Sequence, residues 1–556
     1  MGVGPHAAVS VADLPVRATL AGRLSTASHR DPAGVGWTFA DGDVSFREMA
    51  DHAATLSSVL QARRVGRGDH VAVWLPNTVE CAASFFACSA LGAIFVPLNT
   101  RSKIEELRFT LSRCAPRVLV TVPTFLGIDF LALLAEVLPD RHQLLTRSEL
   151  AGCNEPLVVT LSASGVDDVV PLAAALSERE PAPPPQSAAA EPDAPVLLQF
   201  TSGTTSQPKA ALLSNVFALN YGVETLLRLG VEPGEAVLNT QPFYHVGGSC
   251  GALPAPLLTG CRMVVPDHYK PEDALRLIET ERCVSRGGFA TMYLRELALP
   301  GFGDHDLSSL RAGWAVGSAE MLDRIRSGFG IDVVQLYGAT EGGLTSGALT
   351  DPARTRRESV GRPFRGTEVR IVSPEEGSPA PTGDTGEIVF RGWARLIDYL
   401  GSDSGGIDSE GWFHSGDLGH LDADGYLYFD GRLKEMIKPG GENVAPAEVE
   451  RVLLQHPDVV DAAVFGVPDP DLIEVVCASV QLRPGTTVSE EELRRFCRRR
   501  LANFRVPRGI QVVEAWPLTE SGKIVKRLVR EQFIRAELGH GTSSGTGTAT
   551  SEGSGS

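Results

Sequence analysis

One stretch of this sequence combines the residue types that bind phosphate in proteins. An apolar run that predicts a strand ends at Phe200, and a second apolar run begins after Lys209. Between them lie small and hydroxyl-bearing residues, namely Thr201, Ser202, Gly203, Thr204, Thr205 and Ser206. Glycine lets a backbone approach a ligand closely, and successive amides and hydroxyls can surround phosphate oxygens. The pattern therefore predicts a phosphate-binding loop with Lys209 adding positive charge, although a polar linker has a similar composition.

A second stretch places three chemically useful side chains at the end of a predicted strand. A mostly apolar run leads to Tyr337, and Gly338, Ala339, Thr340 and Glu341 follow it. The ring of Tyr337 can stack on a nucleobase, and the hydroxyl of Thr340 can bond a phosphate oxygen. The carboxylate of Glu341 is a hard oxygen ligand suited to Mg²⁺. The alternative is a strand that simply ends in a glycine-rich turn.

Together with four other segments, at 313–320, 412–419, 430–444 and 517–524, these stretches resemble the motifs of the adenylate-forming enzymes. That family comprises acyl-CoA synthetases, adenylation domains and luciferases, and the motifs are most similar to those of the acyl-CoA synthetases. The resemblance covers most of the chain. Ser206, Ala210 and Ile473 stand where the family often has Gly, Ser415 replaces a common Thr, and Glu320 stands where Pro is frequent.

The resemblance implies an ATP site. The residues that it assigns to ATP are Thr201, Ser202, Gly203, Thr204, Thr205, Lys209, Gly317, Ser318, Ala319, Gln335, Tyr337, Gly338, Ala339, Thr340, Glu341, Asp417, Arg432 and Lys523. Asp417 would hold both ribose hydroxyls, since one carboxylate can accept two hydrogen bonds. Arg432 would reach the ribose or the α-phosphate. Glu341 would be the metal ligand, and Mg²⁺ would arrive with the phosphates.

The resemblance also implies a set of catalytic residues and a CoA-binding loop. The catalytic set is Thr204, Glu341, Lys434 and Lys523, of which Lys523 would bridge the carboxylate of the acid and the α-phosphate of ATP. Lys434 occupies the position at which the family's small C-terminal domain pivots. Lys438, Gly440 and Gly441 match the loop that lines the pantetheine tunnel.

The acyl pocket is the third implied site. His245 either has a structural role beside aromatic residues or lines the acyl tunnel, and the resemblance favours the tunnel. The implied wall consists of His245, Val246, Gly247, Phe289, Met292, Trp314, Val316, Gly338, Leu344 and Thr345. These residues are mostly apolar, and no lysine or arginine stands among them to hold a second carboxylate. The pocket is therefore expected to take an aliphatic, alicyclic or aromatic monocarboxylic acid.

The activity implied by the resemblance is that of an AMP-forming acyl-CoA ligase. The acid would be activated as an acyl-adenylate and then transferred to CoA, with ATP, Mg²⁺ and CoA as cofactors and with release of AMP and diphosphate. Three alternatives remain open: transfer of the acyl group to a carrier protein, use of a non-carboxylate oxyanion or another acceptor, and an inert nucleotide sensor.

Periodicity indicates the elements that would position these residues. A capping box at Ser45 and Glu48 opens a helix with apolar residues through Leu60. Strands at 70–75 and 93–98 alternate with a helix at 80–91, another helix–strand pair runs over 104–122, and a helix is predicted over 215–229. Near the C-terminus the pattern predicts helices at 446–454 and 490–501 and strands at 459–467 and 475–482. Strands that alternate with helices indicate parallel sheets covered by helices.

The predicted fold class is α/β. A large N-terminal domain, 1–430, would contain two parallel-type α/β subdomains and a small β subdomain that includes strands near 369–372 and 385–392. A hinge at 431–434 would lead to a small mobile α+β domain, 435–538. A proline-rich loop at 178–195 and a disordered tail at 539–556 complete the prediction.

Composition excludes several other classes of protein. The chain has 556 residues, too many for one ordinary core, and its net charge of −17 disfavours nucleic acid as a partner. The sequence has no run of membrane-span length and its start does not resemble a secretory signal. Nine scattered cysteines without a Cys-x-x-Cys pair favour reduced thiols. We therefore expect a cytoplasmic enzyme that is a monomer or a homodimer.

Overall fold

The structure, a computed structural model, describes residues 9–138, 157–162, 165–172, 191–201, 208–401, 406–439, 444–469, 472–518 and 524–541. The chain divides into two compact units. The first comprises residues 1–370, 389–415 and 422–427, and the second comprises 371–388, 416–421 and 428–556. The predicted hinge at 431–434 therefore lies within the second unit.

The strands are numbered in chain order. Those before residue 260 are β1 Val35–Phe39, β2 Gly42–Ser45, β3 His70–Trp74, β4 Ile94–Pro97, β5 Val118–Thr121, β6 Thr124–Phe125, β7 Ile128–Asp129, β8 Leu157–Ser162, β9 Gly165–Pro171, β10 Pro195–Thr201, β11 Lys209–Ser214 and β12 Ala236–Asn239. Those after it are β13 Arg262–Val264, β14 Ser285–Phe289, β15 Ala312–Val316, β16 Asp332–Ala339, β17 Gly342–Ser346, β18 Arg362–Pro363, β19 Thr367–Val372, β20 Gly386–Gly392, β21 Asp398–Tyr399, β22 Phe413–Leu421, β23 Leu427–Arg432, β24 Val459–Asp469, β25 Ile473–Leu482 and β26 Gly509–Val512.

The α-helices of the described residues are numbered in the same way. They are α1 Leu20–Arg30, α2 Phe46–Ala62, α3 Val79–Leu91, α4 Ile104–Cys114, α5 Phe130–Val137, α6 Asn215–Asn220, α7 Val223–Arg228, α8 Val246–Ser249, α9 Pro256–Thr259, α10 Pro271–Thr280, α11 Ala290–Leu297, α12 Ala319–Phe329, α13 Ala353–Glu358, α14 Pro446–Leu454, α15 Glu490–Arg498 and α16 Lys526–Gly541.

The first unit contains two large mixed sheets, and within each sheet the central strands run parallel. One has nine strands in the order β18-β17-β16-β15-β14-β12-β13-β1-β2, and the other has eight in the order β21-β11-β10-β4-β3-β5-β8-β9. The pairs from β1 through β13, β12, β14 and β15 to β16 are parallel, as are β10–β4, β4–β3 and β3–β5. These sheets confirm the predicted α/β class.

The described residues form three smaller sheets as well, of which the smallest is the β6–β7 pair. A four-stranded sheet has the order β19-β20-β22-β23, and a three-stranded sheet has the order β24-β25-β26. Helices α14 and α15 pack with the latter around a core that includes Val449, Leu493 and Val480. The described part of the chain thus matches the expected small β sheet and the α+β arrangement near the C-terminus.

Several predicted elements are confirmed in detail. The Ser45 hydroxyl accepts a hydrogen bond from the Glu48 amide at 3.2 Å, and the Glu48 carboxylate accepts one from the Ser45 amide at 2.8 Å. This capping box satisfies two amides at the start of α2. Helix α14 has the predicted bounds, and α16 extends to Gly541, into the predicted tail.

The single helix predicted over 215–229 is wrong. The chain forms α6 and α7 instead, with Tyr221 and Gly222 between them. A Cβ atom built on Gly222 would lie 2.1 Å from the carbonyl oxygen of Gly251, so the two backbones touch at this point. Tertiary packing therefore overrides a helical pattern that has no proline to interrupt it.

Much of the loop predicted over 178–195 lies outside the described residues.

All eight cysteines in the described part are buried. Burial raises the pKa of the Cys261 and Cys497 thiols to about 11. No helix among the described residues is long and apolar enough to cross a membrane.

Candidate active site

The stem of the predicted phosphate loop is an antiparallel strand pair. Thr201 at the end of β10 lies opposite Lys209 at the start of β11. The residues Ser202, Gly203, Thr204, Thr205 and Ser206 lie outside the described part of the chain. Strand β11 begins at Lys209, so no helix starts here as one does after the P-loop of nucleotide triphosphatases.

Thr340 and Glu341 form the two-residue tip of the β16–β17 hairpin. Ala339 pairs with Gly342 across the turn, so the hydroxyl and the carboxylate project from adjacent positions at the tip. Gly342 has φ +128°, and a Cβ there would lie 2.0 Å from the carbonyl oxygen of Ala394. The glycine is therefore required by conformation and by space. Strand β16 therefore ends in a glycine-containing turn, and Thr340 and Glu341 are part of that turn.

Tyr399 of β21 connects the two predicted phosphate-handling groups. Its hydroxyl donates to Glu341 Oε1 at 2.7 Å, and Lys209 Nζ lies 4.7 Å from the centroid of its ring. Burial, and then the negative charge of Glu341, raise the pKa of the Tyr399 hydroxyl. Tyr399 therefore stays protonated and donates. Our reading of the sequence missed this residue, because it reaches the site through the β11–β21 pairing.

Glu341 has the donor chemistry of a magnesium ligand. One carboxylate oxygen accepts from Tyr399, and the other has no hydrogen bond among the described residues. A carboxylate oxygen left available in this way fits the preference of Mg²⁺ for one or two carboxylates plus phosphate oxygens. Groups of three or more His, Cys, Asp or Glu side chains that could hold a metal are absent from the described residues.

The predicted adenine-facing loop connects β15 to α12. A Cβ on Gly317 would lie 2.5 Å from Cβ of Ala290, so the backbone needs glycine there. The Ser318 hydroxyl accepts from the Met321 amide at 3.3 Å and caps α12, which begins at Ala319. Tyr337 is buried on the neighbouring strand β16. The amide of Gln335, on the same strand, donates to the carbonyl oxygen of Arg357 at 3.3 Å.

The structure divides the predicted acyl wall between two faces of β14. Gly287 pairs with Trp314 and Phe289 pairs with Val316, so these side chains share one face. The Trp314 indole lies so close that a Cβ on Gly287 would be 2.0 Å from it. Met292 differs, because its sulfur lies 3.3 Å from the position of a Cβ on Gly288, which faces the other way.

His245 caps a helix and contacts an aromatic ring. Its Nδ1 accepts from the Gly247 amide at 3.0 Å, which caps α8, and its ring meets the ring of Phe289 edge-on with centroids 5.9 Å apart. Because Nδ1 accepts, the proton of the neutral ring is assigned to Nε2. The ring therefore caps a helix while it contacts another predicted wall residue.

The remaining predicted wall residues are closely packed. Leu344 Cδ2 would lie 2.8 Å from a Cβ on Gly338, so Gly338 makes room for this side chain. Thr345 is fully buried, and its hydroxyl donates to the carbonyl oxygen of Val360 at 2.7 Å. That hydrogen bond occupies the donor of Thr345.

The second unit brings together two of the predicted nucleotide ligands. Asp417 is buried, and its Oδ1 lies 3.3 Å from Nε of Arg432. Lys434 lies in a single 3-10 turn, Leu433–Glu435. The Lys438 amide donates to Glu474 Oε2 at 3.0 Å. Gly440, Gly441 and Lys523 lie outside the described residues.

A partly buried lysine, Lys526, holds the turn that contains Lys434. Lys526 Nζ lies 3.3 Å from Glu435 and 2.8 Å from Glu450. Burial alone would lower the pKa of Lys526, but the two carboxylates outweigh it and the pKa is raised. The cation therefore persists at neutral pH and connects this turn to α14 and α16.

Comparisons with known proteins agree with this geometry. Residues 25–399 match the family model described as AMP-binding enzyme, and residues 448–523 match that of the AMP-binding enzyme C-terminal domain. A feruloyl-CoA synthase from Amycolatopsis sp is 34% identical, over 88% of this chain and 94% of its own. The mitochondrial medium-chain acyl-CoA ligase ACSF2 of Danio rerio is 31% identical, over 88% and 83%. The structure of ATP-bound MatB from Rhodopseudomonas palustris superposes with a TM-score of 0.79 at 26% identity, over 93% of this chain and 99% of that one.

Proposed function

The chain belongs to the AMP-binding enzyme family, and on that premise we propose that it activates an apolar monocarboxylic acid as its CoA thioester. The family places it among the AMP-forming acid–thiol ligases, which use ATP, Mg²⁺ and CoA. The proposal concerns the acid, the acceptor and the roles of individual residues. One observation supports it: Tyr399 donates to Glu341 at the hairpin tip, and Lys209 Nζ lies 4.7 Å from the centroid of the same tyrosine ring.

Each predicted site residue has a separate role in this proposal. Lys209 and the hydroxyls of Thr204, Thr205 and Thr340 hold the phosphate groups, and Glu341 takes the Mg²⁺ that neutralises part of their charge. Lys523 stabilises the charge that develops when the acid's carboxylate attacks the α-phosphorus. Such transfers depend mainly on positioning and on electrostatic stabilisation. Asp417 and Arg432 hold the ribose, and Lys438 with Gly440 and Gly441 guides the pantetheine.

The apolar character of the wall supports the class of acid. Phe289, Trp314 and Val316 share one face, and none of them carries a charge. A second carboxylate against this face would lose its hydration without a partner, which is costly. Relatives named for ferulate and for medium-chain acids indicate that both aromatic and aliphatic acids deserve testing.

The test is an acid panel with ATP, Mg²⁺ and CoA, in which AMP, diphosphate and thioester are all measured. We expect AMP and thioester in equal amounts with at least one aliphatic or aromatic monocarboxylic acid. Acyl-adenylate that accumulates with CoA present, but is consumed when a phosphopantetheinylated carrier protein is added, would favour the carrier-protein alternative. Absence of AMP with every acid would contradict the proposal.

A further inference from the structure

Lys526 is a partly buried cation to which the proposed function gives no role. It is the first residue of α16, where the dipole of the helix disfavours a positive charge. Its ammonium nitrogen nevertheless lies 3.3 Å from Glu435 Oε2 and 2.8 Å from Glu450 Oε1. The helix alone therefore does not explain the placement of this lysine, whereas two carboxylates from other elements do.

Both carboxylates belong to elements of the second unit. Glu450 is part of α14, and its Oε1 also accepts from the Val464 amide of β24 at 2.8 Å. Glu435 ends the 3-10 turn Leu433–Glu435, the hinge turn, which directly follows β23. The side chains of Glu450 and Glu435 are 16% and 34% exposed, so solvent screens these ion pairs less than it screens pairs at the surface. Lys526 thus joins the hinge turn to α14.

This lysine is two residues from the base of the segment that ends with Lys523. Ile524 pairs with Leu518 in an isolated bridge, and the Val525 amide donates to the Pro517 carbonyl oxygen at 2.8 Å. The chain therefore leaves this base at Leu518 and returns to it at Ile524. Lys523 lies outside the described residues, but it directly precedes Ile524. The three residues of chain from Lys523 to the start of α16 span at most about 11 Å.

The place of α16 in the fold does not depend on the ion pair with Glu435. Val529 and Phe533 of α16 are buried in a core with Phe465 of β24, and Ile524 packs against the same core. Apolar packing therefore holds the helix on the sheet. The ion pair adds a fixed distance between the start of the helix and the hinge turn.

We propose that Lys526 is a positioning residue, which through its ion pair with Glu435 holds Lys523 at the place needed for acyl-adenylate formation. The inference rests on the proposed function, in which Lys523 acts in that half-reaction. Lys526 and Glu435 both follow the predicted pivot at Lys434 in the chain, so rotation at that pivot need not break the ion pair. Displacement of a catalytic group by about 1 Å can cost about 10²-fold in rate, so a small shift at the start of α16 is enough to impair the step.

The experiment measures both half-reactions of the full chain by single turnover, with an acid that the panel shows to be a substrate. Glu435→Ala removes the contact with the hinge turn and leaves Lys526 paired with Glu450. It is expected to slow acyl-adenylate formation by about 10-fold or more, and to change thioester formation from supplied acyl-adenylate by less than about threefold. Lys526→Gln should give the same pattern. Glu435→Asp retains the carboxylate and should retain most of the rate.

A double-mutant cycle separates positioning from a general structural role. In the Lys523→Ala background, Glu435→Ala should slow acyl-adenylate formation by less than about twofold further, because no ammonium group remains to be positioned. A variant that only loosens the fold would slow the step in either background.

Arg527→Gln is the matched control for these variants. Arg527 is the next residue of α16, and it pairs with Glu531 of the same helix at 2.6 Å. Its removal takes away a cation and an ion pair without changing the contact with the hinge turn. Both half-reactions should therefore proceed at the rates of the wild-type protein.

Each outcome decides the proposal, and Glu435→Ala and Lys526→Gln each provide the test if the other fails to fold. A selective loss of acyl-adenylate formation that disappears in the Lys523→Ala background supports it. Equal slowing of both half-reactions overturns it, as does a loss that is as large in that background as in wild type. If Lys523→Ala itself leaves acyl-adenylate formation unchanged, the role proposed for Lys523 fails and the positioning role fails with it. A loss in Lys523→Ala but none in Glu435→Ala overturns the positioning role alone.

Discussion

At the scale of single residues, the candidate site depends on a tyrosine between a cation and a carboxylate. Tyr399 donates to Glu341, and its ring lies beneath Lys209. Removing the hydroxyl leaves Glu341 Oε1 without this donor while the ring remains. The tyrosine thus orients the carboxylate through its hydroxyl and attracts the ammonium through its π face.

Tyr399→Phe is therefore expected to weaken the use of Mg²⁺. The apparent KM for Mg²⁺ in acyl-adenylate formation should rise by about 10-fold, the lower end of what loss of a second-sphere partner costs. The measurement is the rate of adenylate formation as a function of Mg²⁺ concentration at saturating ATP.

The matched control is Tyr426→Phe. Tyr426 also donates to a carboxylate, Asp351 Oδ1 at 2.8 Å, in the same unit. Its loss should leave the Mg²⁺ dependence unchanged. If both variants shift the Mg²⁺ dependence alike, Tyr399 has no special role in orienting Glu341.

A second prediction at this scale concerns Lys523. Lys523→Ala should slow acyl-adenylate formation by about 10²- to 10³-fold, because it removes a donor to charge that develops only in that step. Thioester formation from supplied acyl-adenylate should be spared. Single-turnover assays of each half-reaction provide the test, and equal losses in both would contradict the assigned role.

The residues that sequence reasoning found and those that it missed differ in how they reach the site. Thr340 and Glu341 are adjacent in the chain and follow a recognisable strand, so a local pattern predicts them. Tyr399 reaches Glu341 and Lys209 through the pairing of β21 with β11, which lies far from it in the chain. It does not stand in a local pattern that would indicate its role.

At the scale of elements, one strand begins with a strained residue. Ile473 opens β25 with φ +69° and is 68% exposed. A β-branched side chain is rarely found in the left-handed region, where it costs about 1–2 kcal/mol. The family often has Gly at this position, and the backbone conformation supplies the physical reason.

Ile473→Gly is expected to raise the free energy of unfolding by about 1 kcal/mol, since relief of strain exceeds the entropy that glycine adds to the unfolded chain. Ile473→Asn should give a smaller gain, because Asn tolerates this region. Ile473→Ala is the control, since it removes exposed apolar surface but retains Cβ. Calorimetric unfolding of the full chain checks the order, and a gain for Ala equal to that for Gly would attribute the effect to loss of the exposed isoleucine side chain instead of to backbone strain.

Other elements show where local patterns succeed and fail. Helix α2 was predicted because its capping box and apolar spacing agree, and both are properties of neighbouring residues. The helix over 215–229 failed because the backbone of Gly251 contacts Gly222. That contact joins residues 29 positions apart, so the local sequence pattern does not indicate it.

At the scale of the whole molecule, the proposed function has two half-reactions, and we expect the chain to change conformation between them at the hinge predicted over 431–434. Lys434 lies in a 3-10 turn that Lys526 holds through Glu435. The φ range of a 3-10 helix includes the value that proline imposes, so Lys434→Pro should hold this turn as it is. We expect acyl-adenylate formation to survive and thioester formation to fall by orders of magnitude.

Lys434→Ala is the control for that experiment. It removes the charge but leaves the backbone able to change φ and ψ, so it should cost much less. Single-turnover assays separate the two steps. If proline and alanine slow both steps alike, Lys434 is not a pivot and the proposed hinge at 431–434 loses its support.

Much of the overall architecture could be predicted, because two sheets with parallel centres require alternating strands and helices and that alternation is visible in the sequence. The mixed edges of the sheets could not be predicted. Strands β8, β9 and β21 join antiparallel to edges that local periodicity does not identify.

The eight described cysteines are buried, so they should react slowly with a thiol reagent while the protein is folded. A coloured thiol reagent added to the native enzyme would react first with the exposed sulfhydryl of CoA. The eight enclosed cysteines have no exposed sulfur to offer, and Cys153 lies outside the described residues. The absorbance produced by the reagent therefore measures the CoA that remains during turnover. A later and slower increase in absorbance would measure the reaction of the protein's own thiols as the structure around each of them opens. The same reagent would thus report first on catalysis and then on how long the native structure persists.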